Sequence, residues 1–151
     1  MKRVNTAAAQ YLQPMQVGVK VKNGAEALLH AFNRYIRDPT RSNEDTVLSL
    51  VDFTNAFNQV SRKSLLHEVL NRFPQLFGWV QYCYGATAKL FVGAHHIINS
   101  SAGVQQGDPL GPLLFALVLQ PLLTRIRDEY AVTVGAYLDD LTIAGPAHQV
   151  H

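Results

Sequence analysis

The chain is predicted to fold as a mixed protein of helices and strands, of the α/β or α+β class. Helical periodicity, as in residues 25–37, alternates with short strand-like runs, as in residues 47–53. The sequence has no internal repeat or low-complexity tract. Its 151 residues are 48% hydrophobic, which suffices to bury one core. We therefore expect a single globular domain.

The first amphipathic helix is predicted over residues 25–37. Apolar residues recur there at the spacing of one helix face: Leu28, Leu29, Phe32 and Ile36. Asn23 and Glu26 have the spacing of an N-cap and its N3 partner, so Asn23 is expected to cap this helix. Residues 38–45 are mostly polar and contain Pro39, which predicts a loop.

The next elements are predicted to be a strand and two helices. Residues 47–53 are rich in apolar strand formers and indicate a half-buried or buried strand, with Asp52 near its C-terminal end. Ser61 is expected to cap a helix that Pro74 closes, and residues 76–84 indicate a further helix. Both helices are expected to support the sheet.

A hairpin and a buried helix are predicted in the middle of the chain. Residues 89–92 and 96–99 are strand-like and are joined around Gly93 and Ala94. We expect His95 and His96 to be turn or strand residues rather than metal ligands. The run 113–119 is apolar on all sides and predicts a buried helix, which Pro121 is expected to kink or restart.

The last hairpin is predicted from residues 131–136 and 141–144, on either side of the tetrapeptide Tyr137–Asp140. Its turn contains no glycine, although favoured two-residue turns require positive φ. We therefore interpret the adjacent carboxylates of Asp139 and Asp140 as a divalent-metal site. The alternative is an ordinary solvated acidic turn.

Asp52 ends a strand and could converge with the acidic turn. Carboxylates from neighbouring strand ends suit Mg²⁺, which prefers oxygen ligands. Two such ions can activate an attacking hydroxyl and stabilise the leaving oxygen in phosphoryl transfer. The carboxylates alone leave a polymerase, a nuclease and a structural cation site open.

Charge and cysteine content exclude several classes. The net charge of +2 and the lack of a basic run do not by themselves indicate nucleic-acid binding. The single cysteine, Cys83, excludes an internal disulfide and a Cys-based zinc site, and we expect it to fill core space. Neither a long apolar stretch nor a signal-peptide core is present, so we expect no membrane partner and an intracellular setting.

Residues 105–115, QQGDPLGPLLF, lie between Asp52 and the acidic turn. Asp52 followed by Phe57, this segment, and YLDD at 137–140 resemble the A, B and C motifs of reverse transcriptases in order and interval. The likeness is to the enzymes of non-long-terminal-repeat retrotransposons, although Gly111 stands where serine is common. It covers roughly residues 14–145, because residues 18–32 also resemble the stretch that precedes motif A.

This resemblance implies an α+β fold with a polymerase palm-like antiparallel sheet backed by helices. The chain is expected to be one partial domain, residues 1–151: a truncated reverse transcriptase palm with part of the fingers. Residues 1–45 or so would form the fingers-side segment, and about 46–145 the palm with all three motifs. A palm that ends after the acidic hairpin is expected to leave an unpaired sheet edge and exposed apolar surface.

The resemblance also implies the metal ligands. Asp52 and Asp139 would bind two catalytic Mg²⁺ ions, with Mn²⁺ as an alternative, and Asp140 would assist in the same acidic cluster. The backbone near Phe53 would contribute an oxygen ligand.

The nucleotide site is implied in the same way. Phe57 would be the aromatic sugar gate that collides with a ribose 2′-hydroxyl; without the motif context it is equally a core aromatic. Gln106 and Gly107 would line the nucleotide and template pocket, since glycine lets the backbone approach a substrate closely.

The function implied is RNA-directed DNA polymerase, acting on an RNA template, a DNA primer and deoxynucleoside triphosphates, in the nucleus by analogy with the family. Because the basic fingers hairpin and the thumb would lie outside this chain, we expect it to be inactive in isolation. One alternative is a non-catalytic retroelement remnant with a binding or structural role. The other is an RNA-dependent RNA polymerase palm, which Phe57 and Leu138 disfavour.

Overall fold

The computed structural model describes residues 2–40, 46–93 and 96–150. Within them lie seven helices and five strands, and every strand pairing is antiparallel, which confirms the α+β class. The helices are α1 (Lys2–Leu12), α2 (Gly24–Ile36), α3 (Ala56–Gln59), α4 (Arg62–Arg72), α5 (Pro74–Tyr84), α6 (Gly111–Glu129) and α7 (Ala147–Val150). The strands are β1 (Thr46–Asp52), β2 (Ala88–Val92), β3 (His96–Ser100), β4 (Thr133–Tyr137) and β5 (Asp140–Pro146).

The chain divides into two compact units. The first unit contains the residues up to Thr54 and those from Leu119 onward, and the second contains Asn55–Val118. The boundary in the C-terminal half falls inside α6. The predicted division into a fingers-side segment up to residue 45 and a palm from residue 46 stays a prediction.

The first unit is built on a three-stranded sheet in the order β1-β5-β4. The outer edge of β4 is covered by residues 15–17: Val17 N donates to Ala136 O at 2.9 Å, and Ala136 N donates to Met15 O at 2.6 Å. Beside the other edge, β1, the sheet has no further strand in the described ranges. The unpaired edge expected from the sequence stays a prediction.

Helix α2 packs on β4 because the strand has a glycine where the helix crosses it. A Cβ atom on Gly135 would lie 2.4 Å from Leu28 Cδ1 and 3.1 Å from Phe32 Cε2. The buried apolar residues of this unit come from α1, from α2, from the second part of α6, from residues 15–19 and from the sheet: Ala8, Leu12, Met15, Val17, Val19, Phe32, Leu119, Leu123, Val134, Ala136, Leu141 and Ala144.

The second unit contains the α4–α5 helix pair, the β2–β3 hairpin and the first part of α6. Ser61 caps α4 as predicted, since its Oγ accepts from Ser64 N at 3.2 Å. Pro74 stands in the first turn of α5, where a missing N–H has no cost. The predicted burial of the run 113–119 is confirmed except at Val118, which is half-buried.

Asn23 lies at the N-cap position of α2 as predicted, but it does not cap the helix with its side chain. Asn23 has left-handed backbone angles, φ 54° and ψ 36°, and makes no side-chain capping bond. Helix α6 continues through Pro121 rather than restarting there. Residues 41–45 of the predicted loop, and Ala94 and His95 of the predicted turn, lie outside the described residues.

In the described ranges, none of the helices is both long enough and apolar enough to cross a membrane. This holds for α6, whose 19 residues make it the longest described helix.

Candidate polymerase site

Three residues form one row across the first-unit sheet. Asp52, the last residue of β1, lies opposite Asp140, the first residue of β5. Asp140 in turn pairs with Tyr137, the last residue of β4. Residues directly opposite each other in antiparallel strands project from the same face, with Cβ atoms about 4.5–5.5 Å apart. The register therefore brings the carboxylates of Asp52 and Asp140 to the same face at one end of the sheet.

Leu138 and Asp139 form the two-residue loop that joins β4 to β5. Leu138 has φ 56°, in the left-handed region that costs a non-glycine residue about 1–2 kcal/mol. A two-residue hairpin loop with positive φ at its first position normally carries glycine there. The turn thus holds an unfavourable backbone conformation immediately before the two carboxylates.

Gln16, which the sequence analysis missed, contacts this turn from a fully buried position. Its Oε1 accepts from Leu138 N at 2.8 Å and from Gly18 N at 3.0 Å. Its Nε2 donates to Leu138 O at 3.0 Å. A glutamine between Met15 and Val17, in an otherwise apolar stretch, was the available sequence signal. One side chain therefore satisfies both backbone groups of Leu138.

The donor chemistry of the acidic residues fits a hard divalent cation. Asp52 and Asp140 are exposed, Asp139 is half-buried, and in the described part of the chain no cationic side chain pairs with them. Carboxylate oxygens are the ligands that Mg²⁺ prefers. Among the same described residues, however, no group of three or more His, Cys, Asp or Glu side chains is placed to hold a metal ion. A Mg²⁺ ion held by one or two of these carboxylates would take its other oxygen ligands from water and substrate phosphates.

Phe57 is half-buried in the second unit. Its ring stacks on that of Phe115, with centroids 4.5 Å apart and planes inclined by 16°. Its carbonyl oxygen accepts from Val104 N at 2.8 Å, so the backbone at Phe57 is tied to the segment that leads into motif B. Phe53 is also half-buried, but it belongs to the first unit.

Gln106 and Gly107 lie on the exposed surface of the second unit. Gln106 borders an open pocket whose lining is mainly amide and hydroxyl side chains: Asn58, Asn99, Ser100, Ser101 and Gln105, with Leu90, Ala102 and Val104. Gly107 has φ 87°, and no atom lies within 4 Å of where its Cβ would be. Its backbone is therefore accessible from solvent, as the predicted role requires.

A buried polar network, also missed from the sequence, supports the motif B segment. Arg62, which is buried, donates to Gly103 O at 2.9 Å, to Ser100 O at 2.7 Å and to Ser100 Oγ at 2.8 Å. Its guanidinium carbon also lies 5.4 Å from the centroid of the Tyr84 ring. No local sequence pattern marks Arg62, because its partners lie 38 and 41 residues away.

Tyr84 joins this network to motif B. Its hydroxyl donates to the Asp108 carboxylate and accepts from Gln105 N at 3.2 Å. Asp108 Oδ1 accepts from Leu110 N at 2.8 Å. Burial, followed by the hydrogen bond to Asp108, raises the pKa of Tyr84 to about 12. The hydroxyl is therefore a fixed neutral donor over the physiological range.

The seven predicted site residues fall into two groups. Asp52, Asp139 and Asp140 share one end of the first-unit sheet, with Phe53 next in the chain after Asp52. The second unit contains the other three: Phe57, Gln106 and Gly107. Each group is therefore described only within its own unit. The catalytic, metal-binding and nucleotide-binding roles assigned to these residues stay predictions.

Comparison with known proteins gives the family. The family model described as reverse transcriptase (RNA-dependent DNA polymerase) matches residues 1–151. The chain is 33% identical over 112 residues, 68% of its length, to the retrotransposable element SLACS 132 kDa protein of Trypanosoma brucei gambiense. It is 25% identical over 136 residues, 85% of its length, to the RNA-directed DNA polymerase from mobile element jockey of Drosophila melanogaster.

A third relative is the Pol polyprotein of the type-2 retrotransposable element R2DM of Drosophila melanogaster, 25% identical over 86% of the chain. The matched regions make up 9%, 15% and 13% of these three proteins, so the chain spans a small part of each. The predicted resemblance to non-long-terminal-repeat retrotransposon enzymes is confirmed. The chain belongs to the reverse transcriptase (RNA-dependent DNA polymerase) family.

Proposed function

We propose that this chain is the catalytic palm portion of an RNA-directed DNA polymerase of a retroelement. It would extend a DNA primer on an RNA template, using deoxynucleoside triphosphates. The observation that carries the proposal is the row in which Asp52 lies opposite Asp140, beside a Tyr-Leu-Asp-Asp turn. The name of the jockey relative, an RNA-directed DNA polymerase, supports the same activity.

Asp52, Asp139 and Asp140 would hold two divalent ions, Mg²⁺ or alternatively Mn²⁺. Two carboxylates directly opposite each other repel, and a cation between them removes that cost. When bound, such ions supply charge neutralisation at the triphosphate and a lowered pKa at the primer 3′-hydroxyl. The backbone at Phe53 would add an oxygen ligand.

The remaining residues of the site would select and position the nucleotide. Phe57, whose ring is held by stacking on Phe115, would block a ribose 2′-hydroxyl and so favour deoxynucleotides. Gln106, with its polar pocket, and the open backbone of Gly107 would contact nucleotide and template. A nuclear setting follows the family and stays a prediction.

A non-catalytic role remains the second candidate. It is favoured by one observation: the described residues contain no closed group of three metal-ligating side chains. In that case the chain would serve as a retroelement-derived binding or structural module. An RNA-dependent RNA polymerase is the third candidate, and the bulky Phe57 argues against it.

Metal titration of the 151-residue chain separates the first two candidates. We expect Mg²⁺ or Mn²⁺ to raise the melting temperature of the wild type, since an ion at 100 times its Kd adds about 2.7 kcal/mol to the unfolding free energy. The shift should disappear in Asp52→Asn and in Asp139→Asn. The control is Asp128→Asn, which removes a carboxylate from α6 that pairs with Arg127.

Primer extension tests the activity itself. Within a full-length retrotransposon polymerase, Asp139→Asn should abolish Mg²⁺-dependent DNA synthesis on an RNA template, while Asp128→Asn should retain it. Undiminished synthesis by Asp139→Asn contradicts the metal assignment. A wild-type chain that no divalent ion stabilises supports the non-catalytic module instead.

A further inference from the structure

We propose that Gln16 is a positioning residue of the Tyr137–Asp140 turn: its side chain holds Leu138 in the left-handed conformation and so fixes where Asp139 and Asp140 stand. This inference rests on the proposed function for its consequence, because the carboxylates matter as metal ligands. The contacts between Gln16 and the turn do not depend on the proposed function, and all of them lie within the first unit.

The side chain of Gln16 makes three hydrogen bonds, and two of them go to the turn. It bonds to the N–H and the C=O of Leu138, and its Oε1 also accepts from Gly18 N. Leu138 lies in the two-residue loop, beyond the last pair of the β4–β5 ladder, Tyr137 with Asp140. Both of its backbone groups are thus supplied with partners from outside the hairpin. A side-chain amide is suited to this task, because it carries a donor and an acceptor together.

The chain around Gln16 is shaped to bring that amide to the turn. Main-chain bonds from Met15 and Val17 to Ala136 fix the segment along β4, next to the loop. Gly18 then leaves room for the leucine: a Cβ there would lie 2.7 Å from both Leu138 N and Leu138 Cγ. The absence of a side chain at Gly18 therefore leaves space for Leu138 in its observed conformation.

Leu138 immediately precedes both carboxylates. If its φ relaxed to the negative values that leucine prefers, the peptide planes that follow would rotate and the directions of Asp139 and Asp140 would change. Gln16 acts on the metal ligands only through this residue, so it is not itself a catalytic residue. Partners that orient metal ligands in this way typically affect metal affinity strongly.

The test removes the clamp, by which we mean the side-chain hydrogen bonds of Gln16 that hold Leu138, while keeping the volume of the side chain. Gln16→Met lacks all three hydrogen bonds, and we expect its Mn²⁺ affinity to fall by about 10- to 100-fold. The matched control is Gln120→Met. Gln120 is the other buried glutamine of this unit, and its Nε2 donates to Tyr11 O at 3.1 Å, with no bond to the turn. Gln120→Met should bind Mn²⁺ as the wild type does.

Rescue distinguishes positioning from general packing. Glycine adopts positive φ without strain, so Leu138→Gly should restore Mn²⁺ binding to Gln16→Met. It should give no restoration if Gln16 merely fills core space. Equal losses in Gln16→Met and Gln120→Met, or a double variant no better than Gln16→Met, would overturn the inference. If Gln16→Met fails to fold, the same comparison is made with Gln16→Asn, which keeps the site polar but whose amide is one methylene too short to reach Leu138.

Amide hydrogen exchange separates this inference from the proposed function. The Leu138 N–H should exchange slowly in the wild type and in Gln120→Met, and at least about tenfold faster in Gln16→Met, because its acceptor is gone. A wild type that binds no Mn²⁺ contradicts the proposed metal site, while this exchange pattern still supports the clamp. Equal exchange rates in all three proteins overturn the clamp, whether or not the metal binds.

Discussion

At the scale of single residues, the aromatic ring of Phe57 makes a packing contact that is compatible with its proposed role in sugar selection. The sequence left two interpretations open, a core aromatic and a sugar gate. In the structure the ring is half-buried and stacked on Phe115. A ring that is held on one face and accessible on another can act as a rigid steric barrier, so the two interpretations are compatible.

Replacing Phe57 by Val should therefore relax sugar selection. Within an active full-length polymerase, we expect the ratio of ribonucleotide to deoxynucleotide incorporation to rise by about tenfold or more, the scale of one steric contact. Competitive single-nucleotide incorporation measures this ratio. The control is Phe91→Val, at an exposed phenylalanine of β2. A ratio that is the same in Phe57→Val and in the control would remove the gate role.

Tyr84 gives a second prediction at the residue scale. Its folded pKa, about 12, is raised above the ordinary value of 10.0 by burial and by the bond to Asp108. The stability that this neutral hydroxyl contributes is thus fully present below pH 10 and is lost as the pH rises toward 12.

Urea unfolding at a series of pH values measures this loss. Between pH 10 and 12 the unfolding free energy of the wild type should fall more steeply than that of Tyr84→Phe. Tyr82→Phe, at an exposed tyrosine of the same helix, should follow the wild type. If Tyr84→Phe has the wild-type slope, the hydroxyl does not titrate as the network implies.

At the scale of elements, the sequence predicted the features that depend on residues close together in the chain. The spacing of apolar residues predicted α2, Ser61 predicted the cap of α4, and strand-like runs predicted both hairpins. The covering of β4 by residues 15–17 and the clamp on Leu138 could not be predicted, because Gln16 and Leu138 are 122 residues apart. Asn23 lies at the N-cap position, but its spacing from Glu26 did not indicate its left-handed backbone or the lack of a side-chain capping bond.

Two helix glycines should respond to alanine with opposite signs. At Gly24 a Cβ would lie 2.1 Å from Val17 O, so Gly24→Ala should lower the unfolding free energy by about 1–3 kcal/mol. At Gly78, inside α5, nothing lies within 4 Å, so Gly78→Ala should raise it by roughly 0.5–1 kcal/mol. Chemical denaturation of the two variants measures both. A stabilising Gly24→Ala would contradict the tight contact between α2 and residue 17.

At the scale of the whole molecule, the family, the fold class and the candidate residues were all accessible from sequence, because three motifs occur in order around a helix-and-strand pattern. The sequence did not indicate the exposed apolar surface of the β2–β3 hairpin. In this hairpin Phe91 pairs with Ile97, and Leu90 pairs with Ile98. Phe91 and Ile97 are 73% and 55% exposed.

This hairpin should drive self-association of the 151-residue chain. Neighbouring residues on a strand face opposite sides, so each side of the ribbon presents one apolar cross-strand pair. Contiguous apolar surface of this kind promotes association more than isolated apolar residues do. Replacing Phe91 and Ile97 together by Thr should therefore lower the association constant, as measured by sedimentation velocity over a concentration series.

The matched control replaces two exposed leucines on separate helices, Leu29 and Leu70, by Ala. It removes exposed apolar area without touching the hairpin, so its association should equal that of the wild type. The threonine pair should leave the fold intact, since β-branched threonine suits a strand and a cross-strand pair contributes only about 0.2–1 kcal/mol. Equal reductions in both double variants would show that association follows total exposed apolar area, whereas a reduction confined to the hairpin assigns it to this ribbon.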